Sequence, residues 1–192
     1  MTPPSPINDR RRFFRHGARW AAAAAAVPAL APLPARATAL MAVPGPRDLS
    51  MAHTHTGERL QLVYAHDDRY LPDALGSLNR FLRDHYSGQV GVIDPGLFDL
   101  LHRVRALLGS SGAFEVISGY RDPETNQRLR QTRGGGVASR SLHMDGRAID
   151  VRLPGVSLAD LRDAALSLRA GGVGYYPRDQ FVHLDTGRVR SW

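Results

Sequence analysis

The sequence has no cysteine and no lysine; all 25 of its basic residues are arginine. Without thiols there are no disulfides and no thiolate metal sites, so a transition metal must be held by imidazole and carboxylate. Without a lysine amine there is no Schiff-base chemistry from a lysine side chain. Aromatic residues are sparse, at 7%, and no cluster of them reads as a stacking platform for nucleic acid. With 192 residues the chain has room for one ordinary globular domain and a short appendage.

The net charge of +7 is concentrated at one end. Arg10, Arg11, Arg12, Arg15, Arg19 and Arg36 against Asp9 place +5 in the first 37 residues, leaving +2 for the rest. Charge gathered in a terminus argues against a nucleic-acid-binding face. The charged stretch Asp9 to Arg15 is followed by Trp20, six alanines, Val27 to Leu33, and then Ala35, Arg36 and Ala37. Charged, then apolar, then small is the pattern of an export signal over residues 1–37. The apolar part, alanine interrupted by proline, falls short of the roughly twenty strongly apolar residues of a membrane span, so no stable membrane anchor is expected. The paired arginines with Arg12, Phe13 and Phe14 resemble the twin-arginine export signal, with Asp9 where Ser or Thr is more usual. That resemblance implies the twin-arginine machinery as a partner, cleavage after Ala37 and a periplasmic mature protein.

Residues 38–52 hold Pro44, Gly45 and Pro46 without periodicity and read as a flexible leader, with order beginning near His53 and one domain over 53–192. Leu60, Leu62 and Tyr64 alternate with polar residues, predicting a strand that turns at Asp67-Asp68. Apolar residues at helical spacing predict helices over Leu71 to His85 and, after Asp94-Pro95, through Leu108. Phe114 to Ser118 is β-prone; Pro123 opens a helical stretch to Leu129, and a glycine-rich loop follows. Arg147 to Leu153, Gly172 to Tyr176 and Phe181 to Asp185 read as strands, and Ser157 to Arg169 as a helix capped by Ser157. The expected class is α+β, with a small antiparallel sheet packed against several helices.

The chemistry concentrates in Ser141-x-His143-x-x-Gly146-x-Ala148-x-Asp150. A His and an Asp seven residues apart converge only if the chain turns between them, and Asp145-Gly146 supplies a turn. Along a strand, Asp150 faces away from Ile149 and Val151, and a buried acid there needs a partner. On a second strand, His183 and Asp185 share the face opposite Val182 and Leu184. Two imidazoles and one carboxylate make an open zinc site, which lowers the pKa of bound water to about 7 and favours hydrolysis.

Ser141-x-His143 through Asp150 with a later His183 resembles the lysostaphin, D-Ala-D-Ala carboxypeptidase and hedgehog superfamily of zinc peptidases. His53 to Glu58, Ser118-Gly119-Tyr120-Arg121, Gly172 to Pro177 and His183 to Trp192 are similar to the YcbK-type murein endopeptidases, which are M15-like. The resemblance implies that His143, Asp150 and His183 bind Zn2+, that Arg121 contacts a carboxylate or carbonyl of a peptidoglycan stem peptide, and that Tyr120 borders the cleft. It also implies hydrolysis of peptide cross-links in cell-wall remodelling. A D,D- or L,D-carboxypeptidase and a noncatalytic zinc-stabilised module binding wall peptides are the alternatives. Arg121 is a carboxylate clamp or a salt-bridge partner of Asp122 or Glu124, and Ser141 is expected with Tyr120 at the substrate, orienting its loop. Much of the superfamily places an acid three residues, or a second His two residues, before the last zinc His. Here those places hold Gln180 and Phe181, neither of which takes a proton from water. Asp185 is then the candidate base, with Asp179 and Asp145 behind it, or else a partner orienting the imidazole of His183. His53 and His55 read as structural residues of a first strand, and His66, His85 and His102 carry no role.

Overall fold

The computed structural model describes residues 45–132 and 137–192; the expected export signal lies outside them. Eight strands run β1 (Pro46–His53), β2 (Arg59–His66), β3 (Arg69–Tyr70), β4 (Phe114–Ser118), β5 (Ala148–Arg152), β6 (Gly172–Tyr176), β7 (Phe181–Asp185) and β8 (Arg190–Ser191). Four helices are α1 (Pro72–Phe81), α2 (Pro95–Leu107), α3 (Pro123–Thr132) and α4 (Leu158–Leu168). The strands form one sheet in the order β3-β2-β1-β4-β5-β7-β6-β8.

Strand parity separates core from site. Phe114 and Val116 of β4, Ile149 and Val151 of β5, and Val182 and Leu184 of β7 are fully buried in one cluster with Leu97, Leu101 and Val104 of α2 and Leu161 of α4. Each such side chain contributes about 1.5–3 kcal/mol on leaving water. The alternate residues, including Asp150 and His183, therefore project from the opposite face. Helix starts follow local chemistry: Asp94 accepts from Gly96 N at 2.9 Å ahead of Pro95, and Ser157 accepts from Asp160 N at 3.0 Å. No helix among the described residues is long and apolar enough to cross a membrane.

The expected α+β class is the one observed, but the sheet differs from expectation. It is mixed rather than small and antiparallel, because β1 pairs with β4, and β6 with β8, in parallel. The leader expected over 38–52 gives way at Pro46 to β1, an inner strand paired with both β2 and β4. Order thus begins well before His53. Pro46 is the strand's first residue, where a missing N–H costs the ladder least. Leu49, Met51 and His53 then point inward in phase with buried Arg47, and Arg47 with the intervening Asp48 and Ser50 dilutes the apolar pattern. The helix expected to reach His85 ends at Phe81, and the short β8 carried no pattern of its own.

Candidate metal centre and cleft

Asp150 on β5 and His183 on β7 are direct cross-strand partners, and Ser118 on β4 faces Asp150 from the other side, just past an irregularity in β4. A bulge of this kind re-aims side chains beside a site. His143 arrives from a turn, as its spacing to Asp150 requires. Met144 N and Arg147 N bond to the carbonyls of Ser141 and Leu142 at 3.0 and 2.9 Å. Gly146 closes the turn at φ 64°, and a side chain there would strike the Val92 carbonyl. Gly146 O also accepts from Asp94 N at 2.9 Å. The backbone of His143 is fixed by Arg121 N donating to its carbonyl at 3.1 Å, and its ring by Nδ1 donating to Gly119 O at 2.8 Å. Ser141 is buried at the start of this turn.

Those constraints leave three atoms facing one another. His143 Nε2 lies 3.2 Å from His183 Nδ1 and 3.3 Å from Asp150 Oδ1, and His183 Nδ1 lies 2.8 Å from Asp150 Oδ1. A tetrahedral ion with bonds near 2.0 Å has ligand atoms about 3.3 Å apart. The group is also the one His and carboxylate cluster of metal-binding geometry among the described residues. Two nitrogens and one oxygen, largely buried, fit zinc in both spacing and donor type. Burial alone would raise the Asp150 carboxyl, but charge and hydrogen bonding from His143 and His183 hold it below the ordinary carboxylate range. Burial likewise works to lower His183, and its bonds to Asp150 and Asp185 overcome this, raising it to about 8.

Asp185 does share the strand face of His183, yet it lies against the other edge of the ring. His183 Nε2 is 3.1 Å from Asp185 Oδ2, whereas Nδ1 faces Asp150. Asp185 is fully buried and also accepts from Gly172 N at 3.0 Å, Gly187 N at 2.8 Å, and Arg190 Nη1 and Nη2 at 3.1 and 2.7 Å. Its lone pairs are committed to these donors, the arrangement of a carboxylate that orients a ligating imidazole. Asp145, Asp179 and Gln180 sit exposed on turns.

A cleft of about 460 Å³ opens from Asp150 and Phe181 past Ser118, Tyr120 and Arg121. Arg121 Nη1 reaches Asn126 Oδ1 at 3.4 Å. Tyr120 is held flat against Gly91, where a Cβ would collide with its ring. Two features escaped sequence reasoning. Trp192 packs with its ring centroid 5.3 Å from that of His183 and donates from Nε1 to Tyr176 OH at 2.7 Å. His55 and His85 stack, and Tyr86 tilts against His85, in the lining of the same cleft.

A mixed sheet packed with helices brings two imidazoles and a carboxylate together beside a cleft, a donor set that could hold a metal ion. The family model described as peptidoglycan L,D-endopeptidase MepK, of the peptidase M15 group, matches residues 41–192, and the chain belongs to this family. Peptidoglycan L,D-endopeptidase MepK of Escherichia coli K12 is 46% identical over 160 residues, covering 83% of this chain and 87% of the relative. The Haemophilus influenzae protein named probable peptidoglycan L,D-endopeptidase MepK is 43% identical over 162 residues, covering 83% and 86%.

Proposed function

We propose that this chain is an exported zinc metallopeptidase that hydrolyses peptide cross-links of peptidoglycan, with the L,D specificity that its relatives' names carry. The reading rests on the convergence of His143, Asp150 and His183 in a chain whose family match spans residues 41–192. Residues 1–37 direct export through the twin-arginine pathway to the periplasm; a reporter fused to residues 1–40 and left in the cytoplasm would overturn that part.

His143 Nε2, Asp150 Oδ1 and His183 Nδ1 are the atoms that would hold zinc. Bound there, zinc supplies Lewis-acid polarisation of the scissile carbonyl and activation of water. The chain's own residues supply orientation. Gly119 O and Asp185 take the outward N–H of His143 and His183, fixing both tautomers with the lone pairs directed inward. Arg121, anchored after the short β4 strand, presents a planar fork that orients a carboxylate or carbonyl of the stem peptide. Tyr120 walls the cleft and limits water on that side.

Zinc-loaded protein incubated with purified sacculi, followed by mass spectrometry of the soluble products, tests the proposal. Conversion of cross-linked muropeptides to shorter peptides is expected, and is lost in His143→Ala, Asp150→Ala and His183→Ala together with bound zinc. Absence of any released product would reduce the chain to a zinc-stabilised binding module.

A further inference from the structure

We infer that Asp84 is a positioning residue for the metal ligand His143, acting through residues 119–122, which run between the two. This rests on the zinc reading of His143, Asp150 and His183 and involves a residue outside that set.

Residues 119–122 follow β4 and send their backbone groups alternately to two sides. On one side lies His143. Gly119 O accepts from its Nδ1 at 2.8 Å, and Arg121 N donates to its carbonyl at 3.1 Å. On the other side lies the chain that follows α1. Tyr120 N donates to Leu82 O at 2.8 Å, and Asp122 N donates to Asp84 Oδ2 at 2.8 Å. The two chains are in close contact, since a side chain at position 119 would meet the Leu82 carbonyl. Residues 119–122 therefore form a strap: the groups that fix the backbone and ring of His143 alternate along it with groups held by Leu82 and Asp84.

Asp84 is itself firmly seated. It is 1% exposed, and its Oδ1 accepts from Tyr86 N and Ser87 N at 2.8 and 3.3 Å. Its backbone closes the same loop, with Asp84 N donating to Gln89 O at 2.9 Å and Gly88 N to Asp84 O at 2.7 Å. Thr125, buried in the first turn of α3, adds a side-chain hydrogen bond. Burial works to raise the Asp84 carboxyl, and the bonds from Thr125 and from the amides of Asp122, Tyr86 and Ser87 hold it below its ordinary value. The group is thus an anion that joins the loop after α1 to the strap and to α3.

Both oxygens are needed for this. A carboxylate accepts on each oxygen and carries no hydrogen of its own. An asparagine in its place would turn an NH2 toward Asp122 N or toward Tyr86 N and Ser87 N, and a buried donor facing a donor leaves both unsatisfied. One end of the strap would then be loosened. The bonds from Gly119 O and Arg121 N to His143 would shift with it, and with them the 3.3 and 3.2 Å spacings of His143 Nε2 to Asp150 Oδ1 and His183 Nδ1.

The test is zinc affinity, measured by competition with a chromophoric chelator, in wild type, Asp84→Asn and Thr125→Val. The Thr125 variant removes one donor to Asp84 while keeping a side chain of similar shape. Val104→Ala, in the buried core cluster, lowers stability by leaving a cavity and has no part in the strap. Affinity should fall about tenfold or more in Asp84→Asn and about threefold in Thr125→Val, and stay at the wild-type value in Val104→Ala. The visible spectrum of cobalt-substituted protein, which follows ligand geometry, should change in Asp84→Asn and match wild type in Val104→Ala. If Asp84→Asn does not fold, Thr125→Val decides. Wild-type affinity in the folded strap variants, or an equal loss in Val104→Ala, overturns the positioning role. Failure of wild type to take up zinc overturns the metal reading instead.

Discussion

Asp185 Oδ2 stands 3.1 Å from His183 Nε2, across the ring from Asp150 Oδ1, which lies 2.8 Å from Nδ1. The imidazole is held between two carboxylates with different tasks. Asp150 shares the inward cluster with His143. Asp185, tied to Arg190 and two backbone amides, faces away from that cluster and fixes which nitrogen carries the proton.

This arrangement makes Asp185→Asn informative. An orienting carboxylate replaced by an amide should weaken zinc affinity about 10- to 100-fold, with activity recovering as zinc is raised. Loss of turnover at full zinc occupancy and unchanged affinity would instead mark Asp185 as the base.

Gly146→Ala tests the turn that delivers His143. The position has φ 64°, and an added Cβ would meet the Val92 backbone carbonyl, which has no flexible end to move aside. The left-handed conformation alone costs about 1–2 kcal/mol for a residue with a Cβ, and the clash adds to it. A lower denaturant midpoint and weaker zinc binding are expected; a variant matching wild type in both would refute the close approach.

The site was legible in sequence where it depended on short-range pattern. Strand alternation placed Asp150 opposite Ile149 and Val151, and His183 with Asp185, while Asp145-Gly146 marked the turn. What sequence left open depended on distant segments. The ring edge that Asp185 faces is set by Arg190 and Gly172, and the stack of His85 on His55 joins the β1–β2 turn to the chain after α1. Strand β1 was hidden because Pro44-Gly45-Pro46 reads as linker and because its ladder partners are remote. Parallel pairing with β4, which has no turn signature, likewise concealed the mixed character of the sheet.

Histidines divide the pH dependence of stability. Burial first, then neighbouring charges, lower His53 and His85 to about 4 from an ordinary 6.5. Between those values the unfolded chain binds more protons, so their contribution is full above 6.5 and is lost as pH falls toward 4. His183, raised to about 8, does the reverse: its contribution is full below 6.5 and is lost as pH rises through 8. Metal-free protein should therefore be most stable near pH 6.5. Zinc should remove the alkaline decline, because a ligating imidazole is already deprotonated. Thermal melts from pH 4 to 9 with and without chelator check this; a metal-free melting temperature flat between 4 and 6.5 would contradict the acid branch.

Trp192 offers a direct optical readout of the candidate metal centre. The chain has two tryptophans, and the other, Trp20, falls within residues 1–37, so protein beginning at residue 38 reports on Trp192 alone. The indole sits 5.3 Å from the His183 ring, pinned by Nε1 on Tyr176 OH and by Arg190 at 4.7 Å over its face. In metal-free protein at pH 7, His183 with its raised pKa is largely protonated, and an imidazolium quenches a neighbouring indole. Zinc binding displaces that proton. Emission should rise on zinc titration and saturate at one equivalent, with no response in His183→Ala. An unchanged spectrum on stoichiometric zinc uptake would mean that Trp192 does not lie against the metal ligand.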